Sequence, residues 1–126
     1  MKMTKFRKKI RVFKTKAFAK SAKKSRLSNQ ALWRAASDLA EGKGNDLGGN
    51  VWKKRLDDNR QRSIVISKVG TVWIFVFLFA KQDMENIDDS QLARLKKLAK
   101  DYGKMNRADI DTLVRYKELE EIFSDG

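Results

Sequence analysis

The chain has 126 residues, a net charge of +13, and no cysteine, proline or histidine. Without cysteine it cannot form disulfides or thiolate metal sites, and without histidine it cannot hold a Ser-His-Asp triad or a histidine-dependent nuclease site. The first acidic residue is Asp38, so the 13 basic residues before it are unopposed, and the remaining 89 residues hold 16 basic and 16 acidic side chains. The excess charge lies in the first third of the chain, as expected of a protein that binds a polyanion.

We expect residues 1–9 to be a solvated basic arm and residues 10–126 to form a single domain. Residues 10–13 alternate apolar and basic side chains, as a half-buried strand does. A short helix is predicted over residues 17–24. A second helix begins after the N-cap Ser28, has apolar residues at helical spacing, and ends before two glycines: Leu32, Ala35, Ala36, Leu39, Ala40, then Gly42 and Gly44.

The middle of the chain changes to the period of β-strands. Residues 51–56, 63–68 and 71–81 predict an antiparallel meander with short connections. The third strand is apolar on both faces, so we expect it to be central and covered on both sides. Strict alternation places Val72, Ile74, Val76 and Leu78 on one face, and Trp73, Phe75, Phe77 and Phe79 on the other.

The helical period returns in the last third of the chain. Asp88, Asp89 and Ser90 are expected to cap a helix that ends at Gly103. Its apolar stripe consists of Leu92, Leu95, Leu98, Ala99 and Tyr102. Asn106 and Asp109 predict the cap of a last helix, whereas residues 117–123 fit either a helical extension or a short strand. The whole pattern predicts an α+β fold.

Two basic residues of the first meander strand share a face. Lys53 and Arg55 alternate with Trp52 and Leu56, which need a core. Together with Arg62 and Lys81 they could converge on one face of the sheet. Such a cluster would bind phosphate, stabilise a pentacovalent transition state, and favour a neutral lysine that acts as a general base on a ribose 2′-hydroxyl. A metal ion or cofactor would not be needed.

The same residues have a simpler explanation, which spacing alone favours. Charged residues on strands are commonly solvated edges that prevent aggregation. Trp33, Trp52 and Trp73 are likewise expected to be core residues rather than base-stacking platforms.

An ordered set of motifs favours the functional explanation. These motifs are Phe13-Lys14-Thr15-Lys16, Asp46-Leu47-Gly48-Gly49 before Lys53 and Arg55, Phe79-Ala80-Lys81, and Asn86-Ile87-Asp88-Asp89 before a leucine-rich helix. Over residues 10–122 the chain resembles the RelE superfamily of type II toxins, most closely the HigB-like branch. The resemblance implies a small α+β domain in which a twisted antiparallel sheet is flanked by two N-terminal helices and by C-terminal helices.

The resemblance also implies an activity. The superfamily's best-known members enter the ribosomal A site and cut mRNA by attack of a 2′-hydroxyl on the adjacent phosphate, which inhibits translation. Lys53, Arg55, Arg62 and Lys81 match the basic catalytic positions. We further expect Lys54, Arg60, Lys14 and Lys16 to bind RNA. The expected partners are the ribosome, its mRNA and a cognate antitoxin, most often a helix-turn-helix protein.

The chain departs from the family pattern at several positions. The loop before Arg62 is usually glycine-rich with a tyrosine before the arginine, but here residues 57–61 read Asp-Asp-Asn-Arg-Gln. Phe77 and Leu78 stand where tyrosine and glycine are common, and Gln82 where asparagine is common. Many relatives use a C-terminal tyrosine or histidine as general acid, whereas Tyr102 and Tyr116 match no clear motif. The acid for the leaving group is therefore unassigned.

Two other functions remain open from the sequence. One is inhibition of DNA gyrase, as in ParE relatives that share this fold, and the other is RNA or ribosome binding without cleavage. The longest apolar run is too short to cross a membrane, and no secretory signal is recognisable, so we expect a cytoplasmic protein. A mitochondrial targeting arm at the basic N-terminus is a weaker possibility.

Overall fold

The computed structural model describes residues 9–82 and 87–124. The predicted basic arm, except for Lys9, and Asn86 of the family motif lie outside these residues. The elements in chain order are β1 (Arg11–Thr15), α1 (Lys16–Lys24), α2 (Asn29–Ala40), β2 (Asn45–Asp46), β3 (Val51–Leu56), β4 (Gln61–Lys68), β5 (Val72–Ala80), α3 (Asp89–Gly103), α4 (Arg107–Arg115) and β6 (Leu119–Ile122).

The described strands form one sheet in the order β2-β3-β4-β5-β1-β6. Strands β3, β4 and β5 form the predicted antiparallel meander. Strand β1, however, pairs with β5 in parallel, with Arg11 opposite Val72, so the expectation of an antiparallel sheet is wrong for this pair. The connection from β1 to β5 runs through two helices and three strands, which is long enough for parallel pairing.

Both faces of the sheet are covered by apolar packing. One core joins α1 and α2 to the sheet through residues such as Phe18, Leu32 and Phe75. The other joins α3 and α4 to the sheet through Ile64, Tyr102 and others. Strand β5 contributes side chains to both cores, as its apolar sequence predicted, and it lies between β4 and β1.

The alternation of β5 is interrupted by a β-bulge. Val65 of β4 lies opposite Phe75, whereas its neighbour Ile64 lies opposite Phe77. One residue, Val76, is therefore left over on β5 between these two pairs. A single extra residue reverses the face of every side chain that follows it in the strand.

The bulge overturns the predicted faces of the second half of β5. Phe77 and Phe79 lie in the core with Ile74, under α3 and α4, and Leu78 packs on the opposite core with Trp73. The expectation that all four aromatic residues share a face is thus wrong. Uninterrupted alternation holds only up to the bulge.

Side-chain caps fix where the four described helices begin, and at α1 Thr15 accepts a hydrogen bond from the backbone N–H of Phe18. Ser28 accepts a hydrogen bond from the backbone N–H of Ala31. Asp88 forms a capping box with Gln91, which begins α3. Asn106 forms another with Asp109, as the sequence predicted. These caps satisfy N–H groups that the first helical turn leaves without partners.

The C-terminal segment is a strand and not a helical extension. Strand β6 pairs antiparallel with β1, and Val12 lies opposite Ile122. Both residues are essentially inaccessible to solvent, so the tail closes the sheet edge beside β1. Among the described residues no helix combines the length and the apolar character needed to cross a membrane.

Candidate functional site

Strand β3 directs Lys53 and Arg55 away from the core under α1 and α2. Trp52 and Leu56 belong to that core, whereas Val51 belongs to the core under α3 and α4. Because side chains alternate along a strand, Lys53 and Arg55 lie on the face of Val51. Lys53 is half-buried and Arg55 is exposed.

Arg62 lies directly opposite Arg55 in the pairing of β3 with β4. On its other side, Arg62 lies opposite Phe79 of β5. Like charges at directly opposed positions destabilise a sheet, so two facing arginines are a cost to folding. An anion bound between them would remove that cost.

Arg62 is a buried residue without a carboxylate partner. The residue is 7% exposed. Its Nη1 donates to the backbone carbonyls of Asn59 at 2.9 Å and of Gln61 at 3.4 Å. No carboxylate of residues 9–82 or 87–124 forms a salt bridge with it. Buried charges are normally paired, so this arginine has the character of an anion-binding group.

Two nitrogens of Arg62 remain for a ligand. Within the described part of the chain, Nε and Nη2 have no hydrogen-bond partner, yet neither is sealed from solvent. A guanidinium binds two oxygens of one phosphate through such a pair of N–H groups. The carbonyls that bind Nη1 leave Nε and Nη2 available for such a ligand.

The turn between β3 and β4 presents the carbonyl of Asn59. Asp57, Asp58 and Asn59 all have positive φ, at 53°, 49° and 75°. Among residues other than glycine, Asp and Asn tolerate this conformation best. Asp57, Asp58 and Asn59 therefore adopt, without glycine, the left-handed backbone conformation of this turn.

Lys81 directly follows β5 and therefore comes after the bulge at Val76. Phe77 and Phe79 lie on the same face of the sheet as Arg62, and the two-residue alternation continues from them to Lys81. Its backbone N–H donates to the carbonyl of Arg60 at 2.9 Å, and the residue is exposed. Without the bulge at Val76, the alternation would place Lys81 on the opposite face.

A cleft of ≈ 900 Å³ lies at the end of the sheet, and of the four expected catalytic residues it is lined by Lys81 but not by Lys53, Arg55 or Arg62. Its walls include Lys81, Arg60, Arg26, Asp57 and Asp58. Arg60 Nη2 is 3.1 Å from Asp57 Oδ1, and both groups are open to water. Exposed pairs of this kind contribute at most about 1 kcal/mol, so an incoming phosphate can displace the carboxylate.

Three of the expected RNA-binding lysines are not brought together with this cleft. Lys54 Nζ lies on the other face of β3, 3.2 Å from Asp38 Oδ2. Lys14 is 8% exposed and its Nζ donates to Asn29 Oδ1 at 2.8 Å. Lys16 is exposed, but it lines a different groove.

The structure does not bring a tyrosine to the cleft. Tyr102 is 8% exposed and lines the groove of Lys16. Burial, and secondarily the negative charge of Glu118, raise the pKa of the Tyr102 hydroxyl above its ordinary value. Tyr116 is exposed after the end of α4 and does not line the cleft.

Sequence reasoning missed two contributors to the site. One is the Asn59 carbonyl, which the run Asp57-Asp58-Asn59 could have indicated, since these residue types favour positive φ. The other is Arg26, which has φ 57° and lines the cleft from the corner between α1 and α2. Only tertiary structure reveals that this corner meets the end of β5.

The described residues contain no group of three or more Asp or Glu side chains placed to hold a metal ion.

A family model described as the RelE toxin of the RelE/RelB toxin–antitoxin system matches residues 10–122. Searches of curated proteins and of solved structures returned no match. Toxins of this family are generally endoribonucleases that inhibit translation. With a match over most of its length, the chain belongs to the RelE toxin family.

Proposed function

We propose that this chain is a ribosome-dependent endoribonuclease that cuts mRNA and thereby inhibits translation. The observation that carries the proposal is the buried residue Arg62, which has no carboxylate partner in the described structure and lies opposite Arg55. A ribonuclease that polarises a phosphate needs such a preorganised positive charge.

In the proposed reaction, the 2′-oxygen of a ribose attacks the adjacent phosphorus and the bond to the 5′-oxygen of the next nucleotide breaks. The product ends in a 2′,3′-cyclic phosphate. Arg62 and Arg55 bind the non-bridging oxygens and stabilise the extra negative charge of the pentacovalent state. Lys53 accepts the proton of the 2′-hydroxyl, and Lys81 binds the phosphate from the end of β5.

The departing 5′-oxygen must also receive a proton. The chain has no histidine, and Tyr102 lies in a separate groove. We assign this proton to solvent in the ribosome-bound complex. Neither a metal ion nor a cofactor takes part in the proposed mechanism.

The partners of the proposed function are the ribosome with its mRNA and a cognate antitoxin of the helix-turn-helix type, as in the HigB-like branch. The basic arm, residues 1–9, supplies a salt-sensitive attraction to ribosomal RNA. Residues 10–126 act as one catalytic domain in the cytoplasm.

Primer extension on an mRNA in a purified translation system tests the activity. We expect cuts at A-site codons that require both the toxin and ribosomes, and no cuts in naked mRNA. Uncut mRNA on arrested ribosomes would instead identify a binding protein. Relaxed plasmid with intact mRNA would identify a gyrase inhibitor.

Sulfur substitution at the scissile phosphate tests the absence of a metal. Mg²⁺ bound to a non-bridging oxygen prefers oxygen to sulfur, so the substitution slows a Mg²⁺-dependent reaction, and Mn²⁺, which accepts sulfur more readily, restores the rate. For this site we expect no restoration by Mn²⁺. Recovery of the rate would overturn the metal-independent mechanism and leave the nuclease assignment intact.

A further inference from the structure

The cleft at the end of the sheet has polar walls. It lies between the corner that joins α1 to α2 and the turn that joins β3 to β4. Among its described lining residues only Ala80 is apolar and none is aromatic. The other walls combine three cations, two carboxylates, three amides and a hydroxyl. Walls of this kind suit a ligand that offers many hydrogen-bonding groups, and the volume of ≈ 900 Å³ is in the range of small-ligand sites.

Lys81 belongs both to this cleft and to the proposed reaction site. Lys53, Arg55 and Arg62, the other three residues of that site, do not line the cleft. An RNA strand whose scissile phosphate lies between the two facing arginines would therefore bring a neighbouring nucleotide into the cleft, and not the reacting phosphate itself.

Arg26 enters the cleft from the corner between the two helices. It follows the C-cap of α1 with φ 57°, and the N–H of the next residue, Leu27, donates to the carbonyl of Ala22 at 2.9 Å. These features form a Schellman motif, a left-handed helix end at which glycine is most common. The Arg26 side chain is exposed, and in the described part of the chain its guanidinium has no hydrogen-bond or salt-bridge partner. It is therefore available to a phosphate.

The two carboxylates of the cleft differ in their partners. Asp57 Oδ1 is 3.1 Å from Arg60 Nη2. The carboxylate of Asp58, by contrast, forms no salt bridge or hydrogen bond with any residue that the structure describes. The turn does not require a charge at position 58, since φ is 49° there and asparagine or glycine would adopt it as well.

An unpaired carboxylate is a disadvantage in a site that binds only the RNA backbone, because it repels phosphates. It is an advantage where a base presents an amino group, because carboxylate oxygens accept hydrogen bonds from N–H donors. The charge of Asp58 therefore indicates contact with a base and not with a phosphate.

We propose that the cleft binds the nucleotide beside the cut bond, that Arg26 contacts its phosphate, and that Asp58 accepts a hydrogen bond from the exocyclic amino group of its base. Adenine, cytosine and guanine carry such a group and uracil does not, so the cleft disfavours uracil. The placement beside the cut bond rests on the proposed function, whereas the preference among bases is a property of the cleft alone.

Binding of uncleavable RNA to the full chain tests the base preference. The probes are fluorescent strands of about six nucleotides, one of cytidine and one of uridine, 2′-O-methylated so that no hydroxyl can attack. The two bases are similar in size, but cytosine has an amino group where uracil has an oxygen. We expect the cytidine probe to bind on the order of fivefold more tightly.

Asp58→Asn should abolish this preference, because an amide both donates and accepts hydrogen bonds. Asparagine tolerates the positive φ of this position, so the turn should fold. The matched control is Asp101→Asn, which makes the same charge change outside the cleft lining and should preserve the preference. Loss of a negative charge strengthens the binding of both probes, so the ratio of the two affinities isolates the contact with the base.

Arg26→Gly tests the phosphate contact and keeps a residue that suits the left-handed helix end. It should lower the slope of log affinity against log salt by about 0.7 for both probes, as expected for one contact with a single strand. The matched control is Lys117→Gly, because Lys117 has φ 64°, ends α4 in the same motif and lies outside the cleft lining. Both variants should fold, and only Arg26→Gly should change the slope.

Equal affinity for the two probes, or a cytidine preference that survives Asp58→Asn, would overturn the contact with the base. An equal change of slope in the two glycine variants would overturn the role of Arg26. These measurements do not depend on cleavage. Cut mRNA without a cytidine preference would support the nuclease and contradict the base contact, whereas uncut mRNA with the preference would do the reverse.

Discussion

Arg55 and Arg62 face each other across β3 and β4, one exposed and the other 7% accessible to solvent. The exposed arginine can move to meet a substrate, whereas the buried one is held by the carbonyl of Asn59. A phosphate between them would be bound by one adaptable and one fixed cation. The fixed cation provides the preorganisation that lowers the barrier of a charged transition state.

Arg62→Lys should reduce mRNA cleavage on the order of a hundredfold, because lysine keeps the charge but loses the paired N–H groups. The measurement is single-turnover cleavage of ribosome-bound mRNA. Lys68→Gln, at the other end of β4, is the control and should retain full activity. Equal activity of Arg62→Lys and the unaltered protein would remove Arg62 from the site.

The turn before Arg62 should tolerate glycine and reject β-branched residues. Asn59 has φ 75°, so Asn59→Val should lower the free energy of unfolding by about 1–2 kcal/mol. Asn59→Gly keeps the backbone conformation and should change stability by less than about 1 kcal/mol. Urea denaturation measures both effects. Equal stability of the two variants would show that the backbone at this position is not constrained.

Ionisation of Tyr102 should weaken the fold at high pH. Burial raises its pKa in the folded chain above the ordinary value of 10.0, so the neutral phenol is favoured by folding. This contribution to stability is fully present below pH 10.0 and is lost as the pH rises through the higher pKa of the folded state.

The chain has two tyrosines, so Tyr116→Phe leaves Tyr102 as the only source of tyrosinate absorbance. In this variant the titration should lie above pH 10.0, and adding Glu118→Gln should move it downward because a negative charge is removed. A midpoint at or below pH 10.0 would contradict the buried position of this side chain.

Removal of residues 1–9 should weaken ribosome binding mainly at low salt. The segment carries five basic residues. Each phosphate contact that is lost lowers the slope of log affinity against log salt by about 0.7 for single-stranded RNA, so the slope should fall by at most about 3.5. Filter binding over a salt series measures it. The position of the mRNA cuts should stay the same, and a shifted position would give the arm a role in placement.

The sequence was sufficient to predict elements whose signals are local. The caps at Ser28, Asp88 and Asn106 occur where the residue types indicated, because a capping side chain bonds to the backbone only three residues away. The meander was also predictable from its alternating strands and short turns. The parallel pairing of β1 with β5 was not, because the partners are some sixty residues apart and no local pattern encodes their direction.

The site was predictable only in part, for a related reason. Lys53 and Arg55 could be placed on one face from strand alternation. The burial of Arg62 and its bond to the Asn59 carbonyl depend on the turn conformation and on packing against β5. The face of the sheet on which Lys81 lies depends on the β-bulge at Val76. The bulge arises from the pairing of β5 with β4, and the uninterrupted run of apolar residues around Val76 gives no sequence signal for it.

The bulge also limits how this sequence can change in evolution. The residues of β5 before Val76 are tied to β1 by parallel pairing, and those after it carry the chain to Lys81. Insertion or deletion of one residue within this strand exchanges the two faces beyond it, moving Phe77 and Phe79 toward the core under α1 and α2 and taking Lys81 off the face of Arg62. Active homologues should therefore differ in the length of this strand only by even numbers of residues, and an alignment with an odd gap there would mark a chain that has lost the site.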